Sequence, residues 1–129
     1  MSGLTNYAEK RALDYLLTGG VTVFVELHTG DPGEDATDNE VTVALDADYV
    51  RKAVTMGAAT LGVGKSVSTT SVSWTVNAAS AGYTITHLSL WDALSGGNAI
   101  FKGELVAPET LAANDVYTID AGLIIAELD

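Results

Sequence analysis

The run Ala59-Thr60-Leu61-Gly62-Val63-Gly64-Lys65-Ser66 comes within one residue of a phosphate-binding loop, with Ala59 where the first glycine belongs. In such a loop, backbone amides and the N-terminus of an immediately following helix hold the anion, and the lysine reaches the outer phosphates. Here the next stretch, 66–76, is serine-rich and β-branched, with Val72, Trp74 and Val76 at every second position. That period predicts a strand, so the run does not read as a nucleotide site.

The other residues able to do chemistry fare no better. Asp31, Glu34, Asp35, Asp38 and Glu40 crowd one segment, with Asp46 and Asp48 just beyond. Hard cations want converging carboxylates, but this spacing matches no calcium-loop motif. The segment 31–48 reads as a solvated acidic loop, with a bound cation as the lesser alternative. His28 and His87 fall on different predicted strands, and neither a cysteine nor an HExxH helix exists to complete a zinc site. Asp46 and Asp48 invite comparison with a glycosidase pair, yet nothing places them on rigid strands across a cleft. No GxSxG elbow occurs, and Trp91-Asp92 stands once, without the repeat of a propeller. The expectation is a protein with no catalytic residues, no metal and no cofactor.

What would position such residues is a chain of 129 residues, one domain long, able to bury roughly two thirds of its unfolded surface. An apolar fraction of 47% with only 18% charged residues suits a folded globule. Thirteen glycines against two prolines suit many tight turns. With no cysteine there is no disulfide, so the core and subunit contacts must hold the fold. Seventeen acidic residues against six basic leave a formal charge of −11, which repels phosphate backbones and anionic lipid. Neither nucleic acid nor membrane is an expected partner. The N-terminal segment lacks a signal-peptide core, and the longest apolar run, 121–126, is too short to span a bilayer. These features predict a soluble protein made in the cytoplasm.

Only the first segment has helical spacing. Leu4, Tyr7, Ala8, Ala12, Leu13, Leu16 and Leu17 make a stripe, closed by Gly19-Gly20. Asn6 with Glu9 could form a capping box, or Ser2 or Thr5 could cap instead. The period then changes to two. Val21, Val23, Val25 and Leu27 line one face of a strand that Asp31-Pro32-Gly33 ends. Further strands are predicted over 49–56 (Val50, Val54 and Met56 on one face), 66–76, 82–92, 99–106 and 116–128. Gly96-Gly97-Asn98, Ala107-Pro108-Glu109 and Ala113-Asn114-Asp115 read as turns, and Gly122 as a bend. The strand 82–92 carries Tyr83, Ile85 and Trp91 on one face and Leu88 and Leu90 on the other, which predicts a central strand or a subunit contact. The fold class is mainly β: an antiparallel sandwich or jelly-roll-like domain over 21–129 behind an N-terminal arm and helix over 1–20.

Trp74 and Trp91 lie in alternating strands, where core is the ordinary place for a tryptophan, but Trp91 could instead anchor a protein contact. The candidate interface residues are Leu4 and Tyr7 on the arm and helix, Tyr83 and Trp91 on the central strand, and Ile124 in the last strand.

Thr29 through Gly33, the set Tyr49, Arg51, Ala53 and Val54, and Ala121 through Leu123 recur in this order in a family of small tailed-bacteriophage virion proteins, often labelled tail-fibre proteins. The chain resembles that family over nearly its whole length. It departs over 57–81, where relatives often carry an aromatic–glycine pair for which Tyr83 could stand in. The resemblance implies a virion structural protein on the outer surface of the particle, made in the host cytoplasm. A head decoration (cement) protein bound to the major capsid protein is the leading expectation, because heptads and a repetitive shaft are absent. The alternative is a tail-fibre or baseplate module contacting tail proteins and the host surface. The strands 82–92 and 121–128, apolar on both faces, suggest a homo-oligomer, for instance a trimer. A hydrolytic or sugar-binding module would need a buried carboxylate pair in a cleft.

Overall fold

Thr5 caps the helix α1 (Asn6–Thr18) in the computed structural model, which describes residues 3–128. Its extended backbone leaves Oγ1 free to accept from the Ala8 amide at 3.2 Å, satisfying one of the unpaired donors of the first turn. The capping box between Asn6 and Glu9 is therefore not formed, since Asn6 already lies inside the helix, and Ser2 falls outside the described residues. Leu13 and Leu17 turn into the core. The Asp14 carboxylate takes the Ala59 amide at 2.7 Å, tying the helix to the loop ahead of the third strand.

Eight strands follow: β1 (Val23–His28), β2 (Lys52–Val54), β3 (Lys65–Val67), β4 (Val72–Thr75), β5 (Tyr83–Trp91), β6 (Ala99–Leu111), β7 (Val116–Ile119) and β8 (Ile125–Glu127). Every pairing is antiparallel. One sheet has the order β2-β1-β5-β6, and two ribbons, β3-β8 and β4-β7, complete the structure. One cluster joins Val23, Val25 and Leu27 of β1 and Ile85 of β5 to Val72 and Trp74 of β4, Ile119 of β7 and Ala126 of β8. The fold is thus mainly β and antiparallel with one helix, its ribbons laid over the sheet as in a sandwich. β5 is a central strand, flanked by β1 and β6.

Several local readings change: the predicted strand 66–76 divides into β3 and β4, which lie in different ribbons, and 116–128 divides into β7 and β8. The segment 49–56 contracts to β2, and Val50 is exposed while Val54 and Met56 are buried. Tyr49 leaves the strand to accept the Leu27 amide on its hydroxyl at 2.9 Å, beyond the point where β2 stops pairing with β1.

The two faces assigned to 82–92 are also redistributed. Leu88 pairs with Leu27 and Leu90 with Val25, so both sit on the core side of the sheet, while the pleat breaks between Ile85 and His87. That break lets Tyr83 and Ile85 reach the same core. Trp91 pairs with Phe24 and belongs to the opposite face.

Finally, Ala107-Pro108-Glu109 is no turn between strands. Ile85 pairs with Glu109 and His87 with Glu104, so Thr86 alone faces Leu105 through Pro108, and β6 arches outward before resuming to Leu111. Proline is tolerated there because β6 is an edge strand.

Candidate functional site

Side chains that resemble catalytic groups are gathered on the face of the sheet that carries Trp91, and all are buried. His28 Nδ1 lies 2.9 Å from the Asp38 carbonyl, which only accepts, so Nδ1 carries the proton. His28 Nε2 then accepts from Ser89 Oγ at 2.6 Å, and Ser89 Oγ accepts from Trp91 Nε1 at 2.7 Å. A base paired with a hydroxyl is the arrangement of an activated serine. Here His28 and Ser89 are 0% and 1% exposed, with no path for a substrate. Burial also pushes the His28 pKa down, favouring the neutral ring this chain requires.

Beside them Arg51 acts as a clamp. Its Nε donates to buried Glu26 at 2.8 Å, and its Nη1 donates to the carbonyls of Ala93 and Gly96 at 2.9 and 2.8 Å. The guanidinium also lies 3.9 Å from the centre of the Trp91 ring. Desolvation raises the Glu26 pKa, with the Arg51 charge opposing it. The loop 92–98 is held from within as well. Asp92 takes the Asn98 amide at 2.7 Å, and a Cβ on Gly97 (φ +73) would meet Asp92 Oδ1 at 2.5 Å.

Asp46 performs similar work on the other side of the core. It is 1% exposed, accepts the amides of Asp48 and Asn77 on Oδ1, and accepts the Tyr83 hydroxyl on Oδ2 at 2.7 Å. Asp48 Oδ2 instead accepts from the Asn77 side-chain amide, so the two carboxylates together hold the chain at Asn77. Burial, then the Asp46 hydrogen bond, raises the Tyr83 pKa.

The acidic segment is closed on itself: Gly33 donates to Asp31 Oδ1, Asp38 to the Pro32 carbonyl, and Asn39 Nδ2 to the Asp31 carbonyl. Among the described residues no three His, Asp or Glu side chains converge as a metal site. The phosphate-loop look-alike leads from a turn at 61–63 straight into β3, with no helix to hold an anion. No helix among the described residues is long and apolar enough to cross a membrane.

The accessible surface offers apolar contact instead. Sheet and ribbons gape at the β6 edge, leaving a groove of about 590 Å³. Phe101 and Leu105 of β6, Tyr117 of β7, and Leu123 and Ile125 around β8 line it. Leu123 and Ile125 are 68% and 54% exposed, and Val106 stands fully out at the crest of the arch. Glu109 and Glu127 are on its margin, whereas Lys102 and Glu104, opposite Ser89 and His87 in the ladder, belong to the Trp91 face of the sheet. Burial, then the Glu109 charge, raises the Tyr117 pKa.

Of the residues singled out from the sequence, Leu4 and Tyr7 are 53% and 65% exposed at the start of α1. Tyr83, Trp91 and Ile124 are 7%, 4% and 7% exposed, turned into the protomer's own interior, and have little surface to lend a partner. The structure does not bring the five together. Sequence reasoning named the stretch 121–128 for a subunit contact but not Phe101 or Leu105, which line the groove with Leu123 and Ile125. In that stretch Ile124 and Ala126 are buried while Leu123 and Ile125, their neighbours in the chain, are not. It also passed over the clamp on Arg51, whose partners lie 25 to 45 residues away.

Residues 3–127 match the family model described as Podophage GP4 fiber I protein gp80. No curated protein matches the chain.

Proposed function

The chain belongs to the Podophage GP4 fiber I protein gp80 family, and we propose that it is a non-enzymatic fibre module on the outside of the phage particle. It works by packing against other virion proteins and against copies of itself. One observation carries this: the polar groups that resemble chemistry are spent inside the fold, while the accessible feature is an apolar groove beside an arched edge strand. Exposed apolar surface of that kind marks contact with another macromolecule. The charge of −11 turns the molecule away from DNA and toward an external position.

The family match favours the fibre reading over the head decoration expected from the sequence. Tail proteins rather than the major capsid protein are then the neighbours, and the host surface is within reach of the distal end. Lack of heptads, taken above as an argument against a fibre, is compatible with a β-rich fibre module, because such a unit needs no coiled-coil shaft to stack.

Location on the particle is the test. Purified virions are labelled with gold-tagged antibody to this chain and its copies counted by quantitative mass spectrometry against the major capsid protein. Label at the tail with a few tens of copies or fewer supports the proposal. Label spread over the head, with copies approaching those of the capsid protein, overturns it and restores the decoration role.

A further inference from the structure

We infer that the outward face of α1 seats in the β6–β8 groove of a second copy of this chain, a head-to-tail contact that can close into a ring. The inference stands apart from where on the virion the protein sits.

The helix has two faces. Leu13 and Leu17 point to the core, whereas Tyr7, Arg11 and Tyr15, four residues apart, form a stripe on the exposed side, with exposed Leu4 just ahead of the cap. Arg11 Nη1 donates to the Tyr7 hydroxyl at 3.3 Å, so cation and aromatic ring are held as one unit. Tyrosine and arginine beside aliphatic groups make a composition typical of contact surfaces.

Charge selects the occupant. Of the six basic residues, Lys10, Arg51, Lys65 and Lys102 are engaged in ion pairs, whereas Arg11 and Lys52 form none among the described residues. Lys52 is half-buried in β2, at the far edge of the sheet. Arg11 alone sits within exposed apolar surface. The groove has the opposite character, with Glu109 exposed on its margin and without an ion pair among the described residues, and Glu127 paired only with Lys65 at 3.9 Å. Two grooves facing each other would oppose carboxylates, and two helices would oppose Arg11 to Arg11. Only helix against groove joins unlike charges around apolar centres.

Edge-to-edge pairing of β6 is a poor competitor. Its arch at Leu105–Pro108 interrupts the ladder, and Pro108, Lys102 and Glu104 are the residue types that blunt an exposed edge. Because stripe and groove are different surfaces, the contact is heterologous, and such contacts close into rings when the rotation permits.

The test uses the whole chain with two double variants, all at exposed positions. Light scattering after size exclusion should find the natural chain self-associated at about 100 µM, a weak-contact concentration. Arg11→Glu with Tyr15→Glu should weaken association at least about tenfold. Leu123→Glu with Ile125→Glu should do the same. An equimolar mixture of the two variants should recover a one-to-one pair, because one intact helix face meets one intact groove. A monomeric natural chain, undiminished association of either variant, or a mixture that stays monomeric overturns the inference. Should either double variant lose its cooperative melt, Arg11→Glu alone is combined with Glu109→Arg. Restored association by charge reversal supports the contact, and failure to restore it refutes it.

Discussion

The two flanks of this molecule handle their surfaces in opposite ways. On the Trp91 side of the sheet, loops 29–40 and 92–98 close over Glu26, His28, Ser89 and Arg51, and no buried side-chain nitrogen or oxygen among the described residues lacks a partner. At the β6 edge nothing closes over Phe101, Leu105, Leu123 and Ile125. The polar flank has the look of chemistry and does structural work, because a buried polar group is stable only when its hydrogen bonds are met inside the protein. The apolar flank has no chemistry and remains accessible.

Arg51→Ala should strike hardest at this contrast. It leaves Glu26 buried without a counter-ion and frees the carbonyls of Ala93 and Gly96, a loss of about 3–5 kcal/mol by analogy with broken buried pairs. Urea unfolding followed by tryptophan fluorescence measures it. A loss under about 1 kcal/mol would mean the closed flank is not held by this clamp.

Tyr83→Phe should cost about 1–3 kcal/mol, because Asp46 Oδ2 keeps its burial and loses its donor. The same melts would expose a tolerant site, in which case the Asp46 bracket rests on its backbone donors alone.

Acid should act through His28. Its folded-state pKa lies below the ordinary 6.5, so the stability it contributes is complete above that value and is lost as pH falls through the depressed one. Glu26, with a raised folded-state pKa, acts in the other direction: its contribution is complete below the ordinary 4.5 and is lost as pH rises through the raised value. The melting temperature of the natural chain should therefore decline as pH drops below 6.5, and His28→Gln should flatten that limb. Parallel curves for the two proteins would rule out His28 as its source.

The smallest effect sharpens the comparison from the other side. Leu123→Glu or Ile125→Glu should shift stability by no more than about 0.5 kcal/mol in the dilute monomer, as surface changes usually do. A loss of several kcal/mol would show that the open flank is core after all.

Much of the architecture was legible in the chain. The stripe with Leu13 and Leu17 foretold α1, the alternation of Val72, Trp74 and Val76 foretold β4, and Gly96-Gly97-Asn98 foretold the β5–β6 connection. Of the candidate interface residues, Leu4 and Tyr7 are exposed, whereas Tyr83, Trp91 and Ile124 are buried in the chain's own interior. Bulk on both faces of a strand signals double burial. It does not say whether a partner or the chain's own loops do the burying.

By itself the sequence determined a cysteine-free, acidic, antiparallel β protein behind one helix, because periods of two and 3.6 and the torsional habits of Gly, Asn and Pro act over a few residues. Only the tertiary structure decided that Thr86 faces four residues of an arched β6, that Arg51 reaches Glu26 and the carbonyls of 93 and 96, and that sheet and ribbons part at the β6 edge. Those outcomes depend on pairings between residues some 17 to 45 positions apart. Such pairings are chosen by how whole layers pack, and no local window of sequence contains that information.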